Sequence, residues 1–552
     1  LATSLSVLAP DFASHAGKSS FAAGSKAAKT TLSYLVRAAL KPSPLSHLTG
    51  VTWWPNGPAR GINASLPIPF VYNLAQALAS EVTYMGAFRF NSAHSWISSE
   101  TTRLNRSTVS QRAGFGWETE TSVEASLYDT EISSLVGLQD ATLQDIQRAL
   151  GDAPARRIRR YILMGLLKPV VPWTRGESQP LRKLGQTLTR HGHTELGARL
   201  EHLQAMTDSM PQAAPASRVM TGAEIKNEIQ ALCKLFRVFP PDGRPVEEDS
   251  IATAPFTPAP APTKSKLTDF ADRHKQYVFR SHLYDLIEER FRAVHGSGAS
   301  IPDAARFLMD LNSEPEFKGK VAQSRIADLS YNPEGAWNRS KLPVGATSAP
   351  PSFSAMYQVS ASDSAAGPQE ADIVLNQLGD GMGGLLARFR TIDVQGSLAV
   401  EIKSWITDQY PGCRVYEFVP SAAVNSLQHN ASGIFPSLYW PADNFERTAT
   451  DLPFTQLGLQ HNAQNNTLDF IAADGTLVAP VYTGIVPSSL TTGAARLALA
   501  LIAPWVDGTP LTRNNHPILR SQKRPSDTSH HLRREAGGIV ECREAWIVPL
   551  EN

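Results

Sequence analysis

Apolar positions in the stretch "KTTLSYLVRAALKPSPLSHL" recur with the spacing of an amphipathic helix. The recurring positions are Leu32, Leu35, Val36, Ala39 and Leu40. The opposite side of this helix carries Thr30, Tyr34, Arg37 and Lys41. The pattern therefore predicts a helix whose apolar face belongs to the core and whose exposed face presents two cations about one turn apart.

The predicted helix ends at the step "KPSP". Pro42 disfavours helical backbone at Lys41, and the two prolines hold Ser43 in an extended conformation. An ordinary helix end beside a solvated basic face explains this pattern. A fixed anion site also explains it, because two cations and a positioned hydroxyl suit phosphate oxygens.

The N-terminal part, residues 1–130, mixes short alternating runs with one helical segment. The opening "LATSLSVLAP" predicts a strand, and "AFRFNSAHSWISSETTRLN" and "WETETSVEASLY" predict further short strands. The segment "FVYNLAQALASEV" predicts a helix among them. We expect this part to be α+β.

Residues 131–175 predict a compact module of two helices and a strand. Thr142 and Asp145 have the spacing of a capping box at the start of the first helix. The turn "GDAP" follows, and "ARRIRRYILMG" predicts a second helix that ends at Gly165. The segment "LLKPVVPW" then predicts a strand. Helix, turn, helix and strand in this order indicate a winged-helix module.

The remaining chain divides by its dominant periodicity. Residues 176–330 are predicted to be mainly helical, with a Pro-rich linker at "ATAPFTPAPAPTKSK" and a strongly helical segment over "FADRHKQYVFRSHLYDLIEERFRAVHG". Residues 331–552 are predicted to be rich in strands. The whole pattern predicts a large mixed α+β fold of several subdomains with the winged-helix module embedded in it.

Composition narrows the class of protein. The chain has 552 residues, of which 42% are hydrophobic and 19% charged, as in soluble multidomain proteins. Its net charge of +1 gives no global field toward a polyanion, so any nucleic-acid contact depends on local patches. Cys233, Cys413 and Cys542 lack disulfide or zinc-knuckle spacing, which favours the reducing cytoplasm. No apolar run reaches the ~18 residues of a membrane span.

Several familiar catalytic signatures are absent from the sequence. It contains no GxSxG elbow, no Walker A loop and no HExxH motif. His191 and His193 in "RHGH" have no cluster of Cys or carboxylate residues beside them, so we expect surface histidines. The sequence predicts neither a metal site nor a resident cofactor.

A second stretch with candidate chemistry is "NQLGDGMGGLLARFR", residues 376–390. Its glycines permit close approach of the backbone to a ligand, and Arg388 and Arg390 follow on a predicted helix. The spacing does not match a dinucleotide-binding fingerprint. A glycine-rich turn between a strand and a helix, and a second cationic contact to a phosphate or ribose, are both consistent with it.

The four arginines of "RRIRRY" suggest DNA binding by the winged helix. Against this, Ile162, Leu163 and Met164 leave few polar side chains for reading base edges. The module could equally bind a peptide that adds a strand to its sheet.

Several stretches, in order along the chain, resemble the glutamylation domain of LanB-type lantibiotic dehydratases. "YLVRAALKPSPLSHLTGVTW" resembles the family's N-terminal signature, in which two arginines and a Thr-Pro step occur, and "LATSLSVLAPDFASH" resembles the strand and turn before it. "ADIVLNQLGDGMGGLLARF", "LDFIAADGTLVAPVYTGIVPS" and "GGIVECREAWIVPL" resemble later landmarks. The winged-helix segment falls where the family carries its leader-peptide recognition element.

The resemblance implies a reaction in which glutamyl-tRNA, as co-substrate, esterifies Ser or Thr hydroxyls of a ribosomally made precursor peptide. Arg37 and Lys41 occupy the two arginine positions of the family signature, Ser43 the threonine position and Arg388 the later arginine. With Arg390, these cations would contact the phosphates at the acceptor end of the tRNA. Because the tRNA ester is already activated, no ATP site is required.

The departures from the family pattern define the alternatives. Lys41 cannot make the bidentate contact of an arginine. The chain ends just after Trp546, where the elimination domain would begin, so we expect either a stand-alone glutamylation protein that works with a separate elimination protein, as in split dehydratases of thiopeptide pathways, or a longer chain cut at this point. A peptide aminoacyl-tRNA ligase, which adds an amino acid to a peptide C-terminus, and a noncatalytic peptide- or nucleic-acid-binding module remain as alternatives, and a homodimer stays open.

Overall fold

The structure is a computed structural model. It describes residues 22, 24–40, 46–51, 62–80, 86–90, 94–98, 101–112, 115–126, 134–135, 138, 140–151, 154–241, 244–251, 261–329, 349–360, 372–381, 397–420, 433–441, 444–484, 491–507 and 529–547. The predicted opening strand at residues 1–10 lies outside these ranges. All statements below concern the described residues.

The described helices are, in chain order, α1 (Lys26–Leu40), α2 (Ile68–Ser80), α3 (Leu143–Ala149), α4 (Ala155–Met164), α5 (Pro180–Arg190), α6 (Thr194–Ser209), α7 (Pro215–Phe236), α8 (Ala261–His274), α9 (His282–His295), α10 (Ala304–Ser313), α11 (Pro315–Leu329), α12 (Ser397–Gln409) and α13 (Gly493–Ile502).

The described strands are β1 (Ser46–Val51), β2 (Ile62–Ser65), β3 (Ala87–Phe90), β4 (His94–Ser98), β5 (Thr101–Arg112), β6 (Phe115–Ser126), β7 (Ala141–Thr142), β8 (Leu167–Pro169), β9 (Glu247–Ile251), β10 (Val278–Arg280), β11 (Ser300–Ile301), β12 (Phe353–Ser360), β13 (Asp372–Asp380), β14 (Arg414–Val419), β15 (Ser437–Tyr439), β16 (Leu452–Pro453), β17 (Gly458–Asn462), β18 (Thr467–Ile471), β19 (Leu477–Val481), β20 (Trp505–Asp507), β21 (Ser529–His531), β22 (Arg534–Ala536), β23 (Ile539–Cys542) and β24 (Ala545–Ile547). Helices and sheets alternate throughout, so the predicted mixed α+β fold is confirmed.

The first hydrophobic core surrounds helix α2. Phe70, Val71, Leu74 and Leu78 on α2 are fully buried, in agreement with the helix predicted for this segment. Helices α3 to α7 supply twelve further buried members of this core. Two sheets border it, of strand order β1-β9-β2 and β7-β3-β8.

The second core lies against a seven-stranded sheet of order β11-β17-β18-β19-β14-β15-β16. Helices α9, α10 and α13 contribute most of its helical residues. Aromatic rings fill its centre: Phe454 lies 5.3 Å from Phe418, 5.0 Å from Trp440 and 5.5 Å from Phe470 between ring centroids. The described C-terminal residues form mainly strands, and α12 and α13 are helices among them.

Helix α1 is correctly predicted, but its burial is not. Leu32, Leu35 and Val36 are 61%, 47% and 44% exposed, although the periodicity assigns them to the core. An apolar stripe predicts a helix but does not determine what covers the stripe. In the described residues, α1 contacts strand β1, and this contact leaves Leu32, Leu35 and Val36 exposed.

Two further predictions about elements are corrected by long-range pairing. The segment predicted as strongly helical over residues 270–296 is interrupted at β10, because Val278 and Phe279 pair antiparallel with β20 and become buried. Helix α9 then restarts at Ser281, whose hydroxyl accepts from the amide of Tyr284. The short strands predicted near residues 101–126 are one long hairpin of β5 and β6, each of 12 residues.

The Pro-rich linker is shorter than its composition suggests. Residues 252–260 lie outside the described ranges, but the end of the predicted linker, "APTKSK", is the beginning of helix α8. Pro262 lies in the first turn of that helix, where the missing amide proton costs nothing.

Candidate functional site

The predicted anion site lies mainly outside the part of the chain that the structure describes. Arg37 is in the last turn of α1. Lys41, Ser43, Arg388 and Arg390 lie outside the described residues. The distances among these five residues therefore stay a prediction, and the described elements on each side of them provide the structural context.

Strand β1 is the first described element after Ser43. It begins at Ser46 and runs parallel to β9, with Ser46 opposite Asp249 and Val51 opposite Ile251. Strand β9 is the central strand of this sheet and pairs antiparallel with β2 on its other side. The segment that carries Lys41 and Ser43 thus spans only the gap between the end of α1 and the edge strand β1.

A buried ion pair holds the central strand β9 to helix α7. The guanidinium Nη2 of Arg218 lies 2.6 Å from both carboxylate oxygens of Glu248, and neither side chain has exposed surface. A second nitrogen of Arg218 donates to the carbonyl oxygen of Met210. Because a buried charge is costly without its partner, this pair fixes the position of β9 and, through it, of β1.

Sequence reasoning missed this ion pair, although a signal for it exists. Arg218 lies 7, 11 and 14 positions before Ile225, Ile229 and Leu232, which places it on the buried face of α7. A charged residue on an apolar helical face indicates a buried partner elsewhere in the chain. The sequence does not say which acidic residue supplies that partner.

The glycine-rich stretch begins where a buried strand ends. Ile373, Leu375 and Leu378 of β13 are buried, and β13 lies between β12 and β23. Gly381 follows with φ of +75°, a left-handed conformation that favours glycine. The strand before the predicted turn is thereby confirmed, and Arg388 and Arg390 come after this turn.

The predicted helix–turn–helix–strand order of the winged-helix module is present in detail. The hydroxyl of Thr142 accepts from the amide of Asp145, and the Asp145 carboxylate accepts from the amide of Thr142, as the capping box requires. The Thr142 hydroxyl also donates to the Asp145 carboxylate, and this bond, together with the one from the Thr142 amide, holds the pKa of Asp145 below its usual value. Gly165 ends α4 in the left-handed conformation, and Ile158 and Tyr161 turn inward from α4.

The sheet of this module includes a strand that the predicted boundaries exclude. Strand β3 lies between β7 and β8, and it pairs antiparallel with both. Arg89 on β3 donates to Asp140 at 2.8 Å, just before β7. The module is thus assembled around a strand from the N-terminal part, which a local helix and strand pattern cannot indicate.

One short segment of the C-terminal part is inserted into the first core next to this module. Val171 and Trp173 pair through their backbones with residues 444–446. The ring of Phe445 is 96% buried and packs against Tyr72 and Trp173, with centroid distances of 6.0 and 6.3 Å. This junction couples the module's strand β8 to the loop between β15 and β16.

A cleft of about 390 Å³ opens beside this junction. The guanidinium carbon of Arg447 lies 3.3 Å from the centre of the Tyr439 ring, and Arg175 also lines the cleft. Asp451 accepts from the amides of Ser437 and Thr448 and so orders the loop around the cleft. Guanidinium groups, hydroxyls and an aromatic wall together suit a polar ligand with a planar or anionic group.

The described residues also limit the chemistry available. Burial raises the pKa of the Cys233 thiol to about 11, so this cysteine is a poor nucleophile at neutral pH. Where side chains are described, no group of three or more His, Cys, Asp or Glu residues is arranged to hold a metal ion. None of the described helices is long and apolar enough to cross a membrane.

Taken together, the fold defines a mixed α+β protein in which a small helix–turn–helix module belongs to the first core and pairs with residues 444–446 of the β-rich part. Comparison with solved structures then places this fold. The chain matches the glutamylation domain of TbtB from thiomuracin biosynthesis with a TM-score of 0.63 and 16% identity, covering 99% of this chain and 72% of that one.

Two further solved chains give the same result. The same domain of TbtB bound to 5'-phosphodesmethylglutamycin matches with a TM-score of 0.64 and 16% identity, covering 99% of this chain and 71% of that one. The tRNA-dependent lantibiotic dehydratase MibB from Microbispora sp. 107891 matches with a TM-score of 0.65 and 14% identity, covering 99% and 57%. No protein-family model and no curated protein matches the sequence. The predicted resemblance to LanB-type glutamylation domains is confirmed at the level of the fold.

Proposed function

We propose that this protein transfers glutamate from glutamyl-tRNA to Ser or Thr side chains of a ribosomally made precursor peptide. The observation that carries the proposal is the likeness in fold, over 99% of the chain, to solved proteins described as glutamylation domains and as a tRNA-dependent dehydratase. The order of the family-like motifs along the sequence supports the proposal independently of the fold.

The reaction is an exchange of one ester for another. The oxygen of a peptide Ser or Thr hydroxyl forms a bond to the glutamyl carbonyl carbon, and the bond from that carbon to the terminal ribose oxygen of the tRNA breaks. The proton of the peptide hydroxyl ends on the released ribose oxygen. Since donor and product are both esters, the enzyme supplies mainly position and charge, and it requires no ATP.

Within this proposal, Arg37, Lys41, Arg388 and Arg390 contact the phosphates at the acceptor end, and Ser43 orients the ester. Phosphate contacts by cationic side chains dominate affinity for nucleic acids. The β1-β9-β2 sheet, held by the buried pair of Arg218 and Glu248, gives the segment after α1 a rigid mount. A rigid mount is what an orienting group needs.

The winged-helix module, residues 131–175, would bind the leader of the precursor peptide. A short three-stranded sheet with edge strands β7 and β8 offers backbone groups to an added strand. An elimination step would then release glutamate from the modified residues.

The test is a reconstitution with the candidate precursor peptide, tRNA, glutamate, ATP and a glutamyl-tRNA synthetase, followed by mass spectrometry. We expect a glutamyl adduct that hydroxylamine removes, because hydroxylamine cleaves esters and leaves amides intact. An adduct that resists hydroxylamine would instead indicate a peptide aminoacyl-tRNA ligase, and an unmodified peptide would contradict the proposal.

A separate variant tests the assignment of Arg37 to the tRNA-binding site. Arg37→Ala should abolish transfer while binding of the precursor peptide is kept, because Arg37 would contact tRNA and not the leader. Lys29→Ala is the matched control, since Lys29 is an exposed cation on the same helix. An Arg37→Ala protein that transfers glutamate at the parent rate would refute the assignment.

A further inference from the structure

Helix α4 presents a row of arginines on its outer face. Arg156, Arg159 and Arg160 are exposed, and Leu163 continues the same row at the spacing i, i+3, i+4 and i+7. Ile158 and Tyr161 lie on the opposite, buried face. The sequence thus separates apolar and cationic positions cleanly on this one helix.

This row makes the module locally basic although the whole chain is almost neutral. Residues 143–164 contain five arginines and two aspartates. One of these aspartates, Asp145, is engaged by the capping box and by Arg148. The surface field of α4 is therefore positive, in contrast to the net charge of +1 for the whole protein.

The arginines in the first turn of α4 also lower the stability of the helix. The first turn of α4 contains Arg156 and Arg157 and no acidic residue. Cations near a helix N-terminus interact unfavourably with the helix dipole, and acidic residues are the stabilising choice there. Local violations of such preferences are expected where a surface serves binding.

We propose that the exposed arginine face of α4 binds the phosphate backbone of the tRNA, independently of base sequence. This inference rests on the proposed function, which makes tRNA a substrate, and it adds a second contact surface distant in sequence from the acceptor-end residues. The rise of a helix puts residues three or four apart about 4.5–6 Å from each other along the axis, so that the arginines form a continuous row of donors. Arginine pairs with phosphate oxygens in bidentate geometry.

The chemistry of the row favours RNA backbone over other occupants. Besides the arginines, the face offers only Leu163, so it has no polar side chain for reading base edges. A peptide would need side-chain pockets or a strand edge, and the module's strand edges belong to its sheet and not to this helix face. Phosphate contacts without base readout suit an enzyme that binds the body of a tRNA at one surface and recognises which tRNA it is at another surface.

The experiment measures binding of deacylated, unfractionated tRNA to the full chain by fluorescence anisotropy over a range of KCl concentrations. The variant carries Arg156→Gln, Arg159→Gln and Arg160→Gln, which keeps helix propensity and apolar packing. The control carries Arg306→Gln, Arg414→Gln and Arg533→Gln, three exposed arginines elsewhere in the chain, so that the change in net charge is identical. Circular dichroism confirms that both proteins are folded.

We expect the α4 variant to lose about tenfold or more in affinity near 0.1 M salt, and the slope of log K against log salt to decrease by about 2–3. The control should change neither value by a comparable amount. Equal loss in both proteins, or no loss in the α4 variant, overturns the inference. Weakened binding of the precursor peptide with unchanged tRNA binding also overturns it and assigns the face to an acidic peptide.

The experiments distinguish failure of the proposed glutamylation from failure of the tRNA-binding inference. Because the probe is deacylated tRNA, the effect of the α4 substitutions is independent of any transfer chemistry. A wild-type protein that binds tRNA through α4 but leaves the precursor peptide unmodified refutes glutamylation and leaves this surface intact.

Discussion

At the residue scale, the buried pair of Arg218 and Glu248 holds helix α7 to strand β9. Both side chains are fully inaccessible to solvent, and the guanidinium also donates to the Met210 carbonyl oxygen. Desolvation of two charges offsets most of their attraction, so the pair itself adds little net stability. Its effect is to fix the distance between α7 and β9.

Removal of one partner should therefore cost much more than removal of both. We expect Glu248→Gln to lower the free energy of unfolding by about 3–5 kcal/mol, because it leaves the Arg218 charge uncompensated. The double variant Arg218→Met with Glu248→Leu should recover most of this loss. Urea denaturation of the single and double variants measures both values, and a double variant as unstable as Glu248→Gln would contradict the account.

At the scale of elements, a substitution in helix α1 tests whether its apolar face is exposed to solvent. Leu32→Ala should change the free energy of unfolding by less than about 0.5 kcal/mol, because Leu32 is 61% exposed. Leu74→Ala in α2 is the matched control and should cost about 2–5 kcal/mol, since Leu74 is fully buried. Thermal or urea denaturation measures both. A cost for Leu32→Ala close to that of Leu74→Ala would mean that the apolar face of α1 is covered.

Elements were predictable from sequence where their determinants are local. The capping box of Thr142 and Asp145 and the left-handed Gly165 involve only neighbours in the chain, and the structure contains both. The break of the predicted helix at Val278 was not predictable, because it results from pairing with β20, more than 200 residues later. The same holds for β3, which enters the module's sheet from outside its predicted boundaries.

The candidate site also contains features that the sequence shows directly and features that depend on long-range contacts. Arg37, Lys41, Ser43, Arg388 and Arg390 were found through the spacing of family-like motifs, which sequence displays directly. The insertion of Phe445 between Tyr72 and Trp173, and the cleft beside Arg447, depend on contacts between segments that are remote in sequence. No local periodicity encodes such contacts, so only the fold reveals them.

At the scale of the whole molecule, the architecture joins the two regions that the proposed function assigns to the peptide and to the tRNA. The winged-helix module is joined to the β-rich part through residues 444–446, and the sheet that follows the Arg37 helix is fixed to the helical core by Arg218 and Glu248. A peptide bound at the module and a tRNA held near α1 would thus be held by one continuous scaffold. Fixed geometry between two bound substrates is the main source of rate for transfer of an acyl group from a preformed ester to a hydroxyl.

The central claim is that glutamyl-tRNA is the direct donor. The most direct measurement supplies the protein with purified tRNA carrying radiolabelled glutamate and with the precursor peptide, in the absence of ATP, free glutamate and synthetase. The account predicts that label appears on the peptide, is released by hydroxylamine, and increases as labelled tRNA declines. Label that stays on the tRNA, or that reaches the peptide only when ATP and free glutamate are added, would contradict it.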